Sequence, residues 1–141
     1  MQIREAKPED YHQIMVLYND FVEEDRYSKH DSDSFYKVIK NPNNLIYIAE
    51  SKGVLIGFAT LSLRNVVRYP KPIAELDELY VNPKYREKGI GRKLVEKVEQ
   101  KAKQLDCYVI YIESHNDRKT AHKFYQSQGY SKYGFAFRKR I

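Results

Sequence analysis

Residues 86–92 are of types suited to holding phosphate. The stretch contains Gly89 and Gly91 among basic side chains, and it follows an apolar segment that ends at Val81. The apolar residues that follow recur every three or four positions, which predicts a helix. They are Ile90, Leu94, Val95, Val98, Ala102 and Leu105. A strand, a glycine loop and a helix in this order predict a site for a phosphorylated ligand.

The physical basis of such a site is the start of the helix. The first four backbone N–H groups of a helix have no partner within it, and the helix dipole places partial positive charge at the same end. An anion there accepts several hydrogen bonds at once. Glycine lets the backbone approach because it has no Cβ. A dinucleotide fingerprint and a P-loop are both excluded, because Leu94 replaces a third glycine and Arg92-Lys93 follows Gly91.

Three acidic side chains interrupt the apolar segment before this loop. Residues 73–81 have the composition of an interior strand, yet they include Glu75, Asp77 and Glu78. Carboxylates are costly to desolvate unless they are paired or take part in function. This strand is therefore a second place where the sequence indicates chemistry.

Composition indicates one globular domain, residues 1–141, with 42% hydrophobic and 31% charged residues. The sequence has no apolar run of membrane length and no basic-then-apolar leader, so we expect a cytoplasmic protein without a membrane partner. The single Cys107 is interpreted as a packing residue. His12 and His30 have no metal-ligand spacing with each other or with Cys107, so no metal is expected.

The net charge of +6 is unevenly distributed. Residues 9–33 hold eight acids and two bases, whereas residues 118–141 hold seven bases and no acid. A basic chain allows a nucleic-acid module as one interpretation. We do not favour it, because the acidic segment would repel a polyanion and the central bases would serve a phosphorylated cofactor equally well.

Periodicity and turn residues predict the elements that position these groups. The predicted helices are residues 8–24, 33–39, 90–105 and a last helix capped by Asn116 or Asp117 that stops at Gly129. The predicted strands are residues 2–6, 45–51, 54–63, 73–81 and 108–113, with closing strands in 130–139. A polar, acidic loop is expected over residues 23–34.

Two stretches resemble motifs of the GNAT superfamily of N-acetyltransferases. Arg86, Gly89 and Gly91 match motif A, Arg/Gln-x-x-Gly-x-Gly/Ala after an L-Y-V strand. Residues 116–130 resemble motif B, N-x-x-x-x-A-x-x-F-Y-x-x-x-G-F/Y. The resemblance implies an acetyl-CoA-dependent transferase of the α/β class. It also implies a mixed, largely antiparallel sheet of about seven strands with about four helices, splayed at the central parallel strand pair.

The resemblance assigns residues to the coenzyme. The pantetheine arm would pair like an added strand with Leu79, Tyr80 and Val81. The pyrophosphate would be wrapped by Arg86, Glu87, Lys88, Gly89, Ile90, Gly91 and Arg92. Asn116 would bond the arm, with a helix N-cap as the alternative role. Tyr125 would protonate the departing thiolate, with a core aromatic as the alternative.

The resemblance also bears on the amine. A primary ammonium with a pKa near 10.4 lies about three units above neutral pH, so deprotonation costs about 4 kcal/mol. Glu75 is the first candidate for the base and Glu78 the second; either could instead pair with a neighbouring cation. His115, at a strand end, is a further candidate. The nitrogen would attack the thioester directly, and backbone N–H groups of residues 79–81 would meet the developing oxyanion.

In the resemblance, the two predicted helices before residue 40 and the loop between them would form a lid over the acceptor site. Acids near this lid and on the 73–81 strand favour a cationic acceptor, either a small-molecule amine or a peptidyl one. A merely solvated acidic loop is the alternative. The competing functions are a GNAT-fold module that binds coenzyme A as a sensor without turnover, and a nucleic-acid module. Exposed strand edges near the C-terminus could support a homodimer.

Overall fold

A computed structural model describes residues 1–22 and 32–141. This part of the chain contains five strands: β1 (Gln2–Glu5), β2 (Asn44–Ser51), β3 (Val54–Arg64), β4 (Ile73–Val81) and β5 (Ile110–Ile112). It contains four α-helices: α1 (Tyr11–Val22), α2 (Ser32–Lys40), α3 (Ile90–Gln104) and α4 (Lys119–Ser127). None of the described helices is long and apolar enough to cross a membrane.

The chain divides into two compact units, Met1–Tyr111 and Ile112–Ile141. The first unit holds β1 to β4, α1 to α3 and most of β5, and the second holds α4 and the C-terminal residues. The expectation of a single domain stays a prediction.

The strands follow the order β1-β2-β3-β4-β5 across one sheet. The first four are antiparallel neighbours. Between β4 and β5 the bonded residues advance together along both chains: Tyr108 N donates to Pro72 O at 2.8 Å, and Ala74 N donates to Val109 O at 3.0 Å. This is the sense of a parallel pair, which a helical crossover such as α3 allows. The expected mixed sheet is confirmed.

The β2–β3 hairpin forms where the sequence predicts it. Lys52 and Gly53 connect the strands with φ values of 52° and 77°. Two consecutive positive φ values are typical of the hairpin turn whose twist matches that of the strands. Glycine adopts this conformation without steric cost.

Helices cover both faces of the sheet, because successive side chains of a strand point to opposite faces. One face packs on α1 and α2 through a buried cluster of Ile14, Leu17, Tyr18, Phe35, Ile46, Ile48, Leu55, Phe58 and Tyr80. Helix α3 contacts β2, β3 and β4 from the other face with Leu94, Val95 and Val98 fully buried. The apolar pattern that predicts α3 therefore corresponds to its packed side.

A buried ion pair fixes the start of α1 against β1. Arg4 donates from both terminal nitrogens to Asp10, at 2.8 and 2.9 Å, and also bonds Glu50 of β2. The backbone N–H of Lys7 donates to Asp10 at 2.7 Å. Asp10 is only 7% exposed. The Arg4 hydrogen bonds are the main reason that the pKa of Asp10 lies below its ordinary value.

Replacing Asp10 with asparagine should lower the free energy of unfolding at pH 7 by about 2 kcal/mol, the usual loss for charged hydrogen bonds. Because folding lowers the pKa of Asp10, its contribution is present above the unfolded pKa and fades as pH falls. Denaturant unfolding of wild type and Asp10→Asn should therefore converge in acid. Asp106→Asn is the control, since its ion pair with Lys71 is exposed. An equal loss in both variants would contradict the assignment.

Three expectations need correction or lie outside the described residues. The described sheet has five strands and not about seven, because residues 130–141 pair with no strand. Within this segment the side chains of Phe135 and Phe137 are 77% and 95% exposed, so they supply no packing that would support a strand. The last helix begins at Lys119 with Arg118 as N-cap, so neither Asn116 nor Asp117 caps it. The predicted loop falls largely on residues 23–31, outside the described ranges.

Candidate functional site

Strand β4 contains a bulge at Asp77. Across the β3–β4 pair, Thr60 lies opposite Glu78 and Leu61 lies opposite Leu76, so Asp77 is one extra residue. In a regular strand Asp77 and Glu78 would point to opposite faces. The extra residue changes the direction in which the neighbouring side chains point, so both carboxylates lie on the face of the sheet that α1 and α2 cover.

Two hydroxyl groups hold Glu78 in place. The same carboxylate oxygen accepts hydrogen bonds from Tyr18 of α1 and from Thr60 of β3, the latter at 2.8 Å. The Tyr18 ring stacks on Phe58 with 4.4 Å between centroids. The Tyr18 hydroxyl is therefore positioned by packing before any ligand binds, and it fixes Glu78 in turn.

Asp77 lies beside Glu78 and accepts a hydrogen bond from Ser62 at 3.0 Å. Desolvation of its covered side raises the pKa of Asp77 to about 6; Ser62 and Arg64 oppose this, while Glu75 and Glu78 add to it. Asp77 still contacts solvent. It is therefore largely ionised at neutral pH in a negative environment, where an added cation would be stabilised.

Glu75 lies nearer the start of β4 than Asp77 does, and it forms an ion pair with Arg64 of β3. Its carboxylate is 3.3 Å from the Arg64 guanidinium. Glu75 does not line the cavity described next, whereas Glu78 does. Glu75 thus has the geometry of the alternative role considered for these acids, an ion pair with a cation of a neighbouring strand. Its role as base stays a prediction.

A cavity of about 440 Å³ lies between α1, α2 and the sheet. Its floor is formed by β2, β3 and β4, and it includes Thr60, Ser62, Asp77 and Glu78. This volume is within the range of small-molecule sites. The three acids of β4 were singled out from sequence. Tyr18, Thr60 and Ser62 were missed, since only the bulge register brings these hydroxyls to the carboxylates.

The glycine loop has the geometry of an anion-binding helix start. Gly89 is the N-cap of α3, with a φ of 73° in the left-handed region. A Cβ at Gly89 would meet nothing within 4 Å, so the need for glycine arises from the backbone conformation. Gly91 lies in the first helical turn and does not have a positive φ. The residues from Arg86 to Gly89 are exposed, which leaves the loop accessible to a ligand.

Arg86 ties this loop to the end of β4. Its Nε donates to the Val81 carbonyl at 2.8 Å, and its guanidinium lies 5.7 Å from the centre of the Tyr80 ring. Asn82 accepts from the Lys84 backbone at 3.1 Å and starts the short 3₁₀ helix Pro83–Tyr85. The strand end and the loop therefore form one connected structure.

The end of β4 extends beyond its neighbour. β4 has nine residues and β5 has three. Since Ala74 bonds Val109, the end of β5 lies near position 77 of β4. Leu79, Tyr80 and Val81 pair with β3 on one side and lie past β5 on the other. An extended ligand arm could add to this edge as a strand does.

The second unit contains the other candidate residues. Helix α4 ends in a Schellman motif: Tyr130 N donates to Tyr125 O at 3.1 Å, Gly129 N donates to Gln126 O at 3.0 Å, and Gly129 has a φ of 89°. The predicted stop at Gly129 is confirmed. Burial is the main cause that raises the pKa of Tyr125, so its hydroxyl stays protonated at neutral pH.

Two further candidates of this unit lie at the surface. Asn116 is exposed and precedes α4. His115 Nδ1 lies 3.2 Å from the Asp117 carboxylate, and its carbonyl lies 3.0 Å from His122 Nε2. The predicted coenzyme contact of Asn116 stays a prediction.

Comparison with known proteins identifies the family of this chain. The family model described as the acetyltransferase (GNAT) family matches residues 11–130. The aminoalkylphosphonate N-acetyltransferase of Salmonella typhimurium is 26% identical over 140 residues, covering 99% of this chain and 91% of that protein. The uncharacterized N-acetyltransferase YhfO of Bacillus subtilis is 33% identical over 135 residues, covering 92% and 89%.

Solved structures share the fold. An aminoglycoside acetyltransferase from an uncultured soil metagenomic sample has a TM-score of 0.89 at 20% identity, covering 99% of this chain and 95% of that chain. An aminoglycoside N-acetyltransferase in complex with CoA has a TM-score of 0.82 at 21% identity, covering 99% and 95%. With the family model matching most of its length, this chain belongs to the GNAT family of N-acetyltransferases and is an acyltransferase.

Proposed function

We propose that the protein transfers the acetyl group of acetyl-CoA to the primary amine of a small cationic molecule or peptide by direct attack. The observation that carries this proposal is the arrangement along β4. Its bulge points Asp77 and Glu78 into a cavity, and its last residues lead directly into the glycine loop of α3. One strand thus connects an amine-binding surface with a phosphate-binding one.

The coenzyme would bind along this strand and loop. Its pyrophosphate would accept hydrogen bonds from the first N–H groups of α3, and the glycine loop and its bases, Arg86, Lys88 and Arg92, would add contacts. Its pantetheine arm would pair with the end of β4 at Leu79, Tyr80 and Val81, and Asn116 would add a contact. The bound thioester supplies an activated acetyl carbonyl next to the cavity acids.

The acceptor must lose a proton before it attacks. The residues proposed for this step are Glu75 and Glu78, and the geometry favours Glu78 because it lines the cavity while Glu75 pairs with Arg64. As the nitrogen forms its bond to the carbonyl carbon, negative charge on the oxygen would be met by backbone N–H groups near Leu79.

The carbon–sulfur bond then breaks and the thiolate takes a proton, which we assign to the Tyr125 hydroxyl, and the second proton that leaves the nitrogen restores this hydroxyl. A cysteine intermediate is not part of the proposal. Desolvation is the main cause that raises the pKa of the Cys107 thiol, so at neutral pH Cys107 is a weak nucleophile.

The experiment separates turnover from binding alone. Acetyl-CoA is titrated while thermal stability is followed, and a panel of amines is then screened for thiol release. Stabilisation with turnover supports the proposal. Stabilisation without turnover on any amine would favour the second candidate function, a coenzyme A sensor. The exposed glycine loop supports this candidate too, because coenzyme binding needs no catalytic residue.

The two glutamates are distinguished by matched amide variants. Glu78→Gln should lower kcat by about 100-fold, in the range of a lost general base, whereas Glu75→Gln should change it less. The measurement is steady-state thiol release at saturating coenzyme, with thermal stability as the folding control. If Glu75→Gln lowers kcat more than Glu78→Gln does, Glu75 is the base, as the family resemblance implies.

A further inference from the structure

The walls of the cavity are largely apolar, and its acids are confined to the sheet. Helices α1 and α2 contribute mainly Tyr11, Met15, Phe35 and Val38, and β2 contributes Leu45 and Ile46; the polar side chains of these elements in the described lining are Tyr18, Ser34 and Asn44. The carboxylates come only from β4, in the lining that the structure describes. A ligand that fills this space therefore meets carboxylates on one side and mainly hydrocarbon or aromatic rings on the others.

The aromatic wall is held in place by contacts among its rings. Tyr11 and Phe35, from different helices, have ring centroids 5.3 Å apart, and Tyr11 also contacts Tyr36 at 6.2 Å. Phe35 is only 7% exposed. Tyr18 also lines the cavity and is held by stacking on the buried Phe58, so the lining rings form a fixed, largely apolar surface. An apolar ligand body gains free energy by covering it.

The charged residues of the cavity determine which sign of charge a ligand can carry. Within the described lining there is no lysine, arginine or histidine. Among the described residues, two acids and one base act on the charge of Asp77: Glu75, Glu78 and Arg64, whose side chain is 60% exposed. Against the described lining, an anionic group would lose hydration without gaining a cation. The many hydroxyl groups of a sugar would find few partners there besides Ser34 and Asn44.

We propose that the acceptor is a primary monoamine with a compact apolar body, such as an arylalkylamine; this inference rests on the proposed function. Its ammonium group lies against Asp77 and Glu78, and its body fills the space between the helices and β2. This distinguishes the protein from the relatives named for aminoalkylphosphonate and aminoglycoside substrates.

The test compares amines that share the ammonium group and differ in the body. The full chain is given saturating acetyl-CoA and either 2-phenylethylamine, 2-aminoethylphosphonate, an aminoglycoside, spermidine or a lysine-containing peptide. We expect kcat/KM for 2-phenylethylamine to exceed each of the others by about tenfold or more, as differential burial in an apolar pocket gives.

A matched pair of variants tests the ammonium contact. Asp77→Asn keeps the shape of the side chain and should raise the KM for 2-phenylethylamine by about tenfold, because an ion pair in a partly covered site is lost. Asp33→Asn is the control, since Asp33 is an exposed acid of α2 outside the cavity lining. The thermal midpoint of Asp77→Asn should be unchanged or higher, because folding raises the pKa of Asp77 and its charge therefore does not stabilise the fold at neutral pH.

The outcomes separate this inference from the proposed function. If no amine releases thiol from acetyl-CoA, the proposed function fails. If turnover occurs but the phosphonate, the sugar amine, the polyamine or the peptide is preferred, this inference alone is overturned. Equal KM changes in Asp77→Asn and Asp33→Asn would also overturn it, since a diffuse acidic field would then explain the attraction.

Discussion

Replacing Tyr125 with phenylalanine should lower kcat by about 100-fold and leave the dissociation constant of acetyl-CoA nearly unchanged, because a general acid typically contributes this much to the rate. The variant removes only the hydroxyl. The ring would keep its packing against Phe124 and Tyr130, at 5.5 and 6.3 Å between centroids. Since burial raises the pKa of Tyr125, the lost hydroxyl is one that carries its proton at neutral pH.

The measurement for Tyr125 combines pre-steady-state acetyl transfer with coenzyme titration. Tyr133→Phe is the matched control, because Tyr133 belongs to the same unit and is 81% exposed. It should retain wild-type kcat. If Tyr125→Phe transfers acetyl at the wild-type rate while chemistry limits turnover, the thiolate takes its proton from another source.

Replacing Gly89 with valine should weaken coenzyme binding by about 30-fold. A β-branched residue in the left-handed region costs about 2 kcal/mol, which the loop relieves by leaving the conformation that the pyrophosphate needs. The added side chain meets nothing within 4 Å, so a steric clash does not contribute. The measurement is a calorimetric titration with coenzyme A.

Gly53→Val provides the control for backbone strain. Gly53 has a φ of 77° against 73° for Gly89, and its Cβ would also meet open space. It lies in the β2–β3 turn and is not part of the glycine loop, although the register of β3 and β4 places both at the same end of the sheet. Both variants should lose comparable stability, and only Gly89→Val should lose coenzyme affinity. Equal affinities would remove the loop from the proposed binding site.

Much of the first unit follows from local sequence signals. The bounds of β4 are those predicted, and α3 begins at the predicted Ile90, because apolar periodicity and the glycine loop act within a few residues of the positions that they determine. The hairpin turn at Lys52 and Gly53 is likewise determined by nearby residues, and its prediction is confirmed.

The parts that were missed depend on contacts distant in sequence. The bulge at Asp77 is a matter of register between β3 and β4, so no pattern within β4 reveals that Glu78 meets Thr60 and Tyr18. The closing strands were predicted from alternation in residues 130–139, yet alternation supplies no partner. Arg118 is the N-cap of α4 because the preceding residues form a separate turn around His115.

The extra residue in β4 makes this strand unusually tolerant of one particular deletion. Removing Asp77 would leave Leu76 opposite Leu61 and Glu78 opposite Thr60, as they are now, so the ladder would close without a slip. Loss of a residue away from the bulge would instead move the side chains of the adjoining part of the strand to the opposite face. The proposed acceptor side can thus gain or lose a carboxylate by a one-codon change, while the proposed coenzyme edge keeps its alignment.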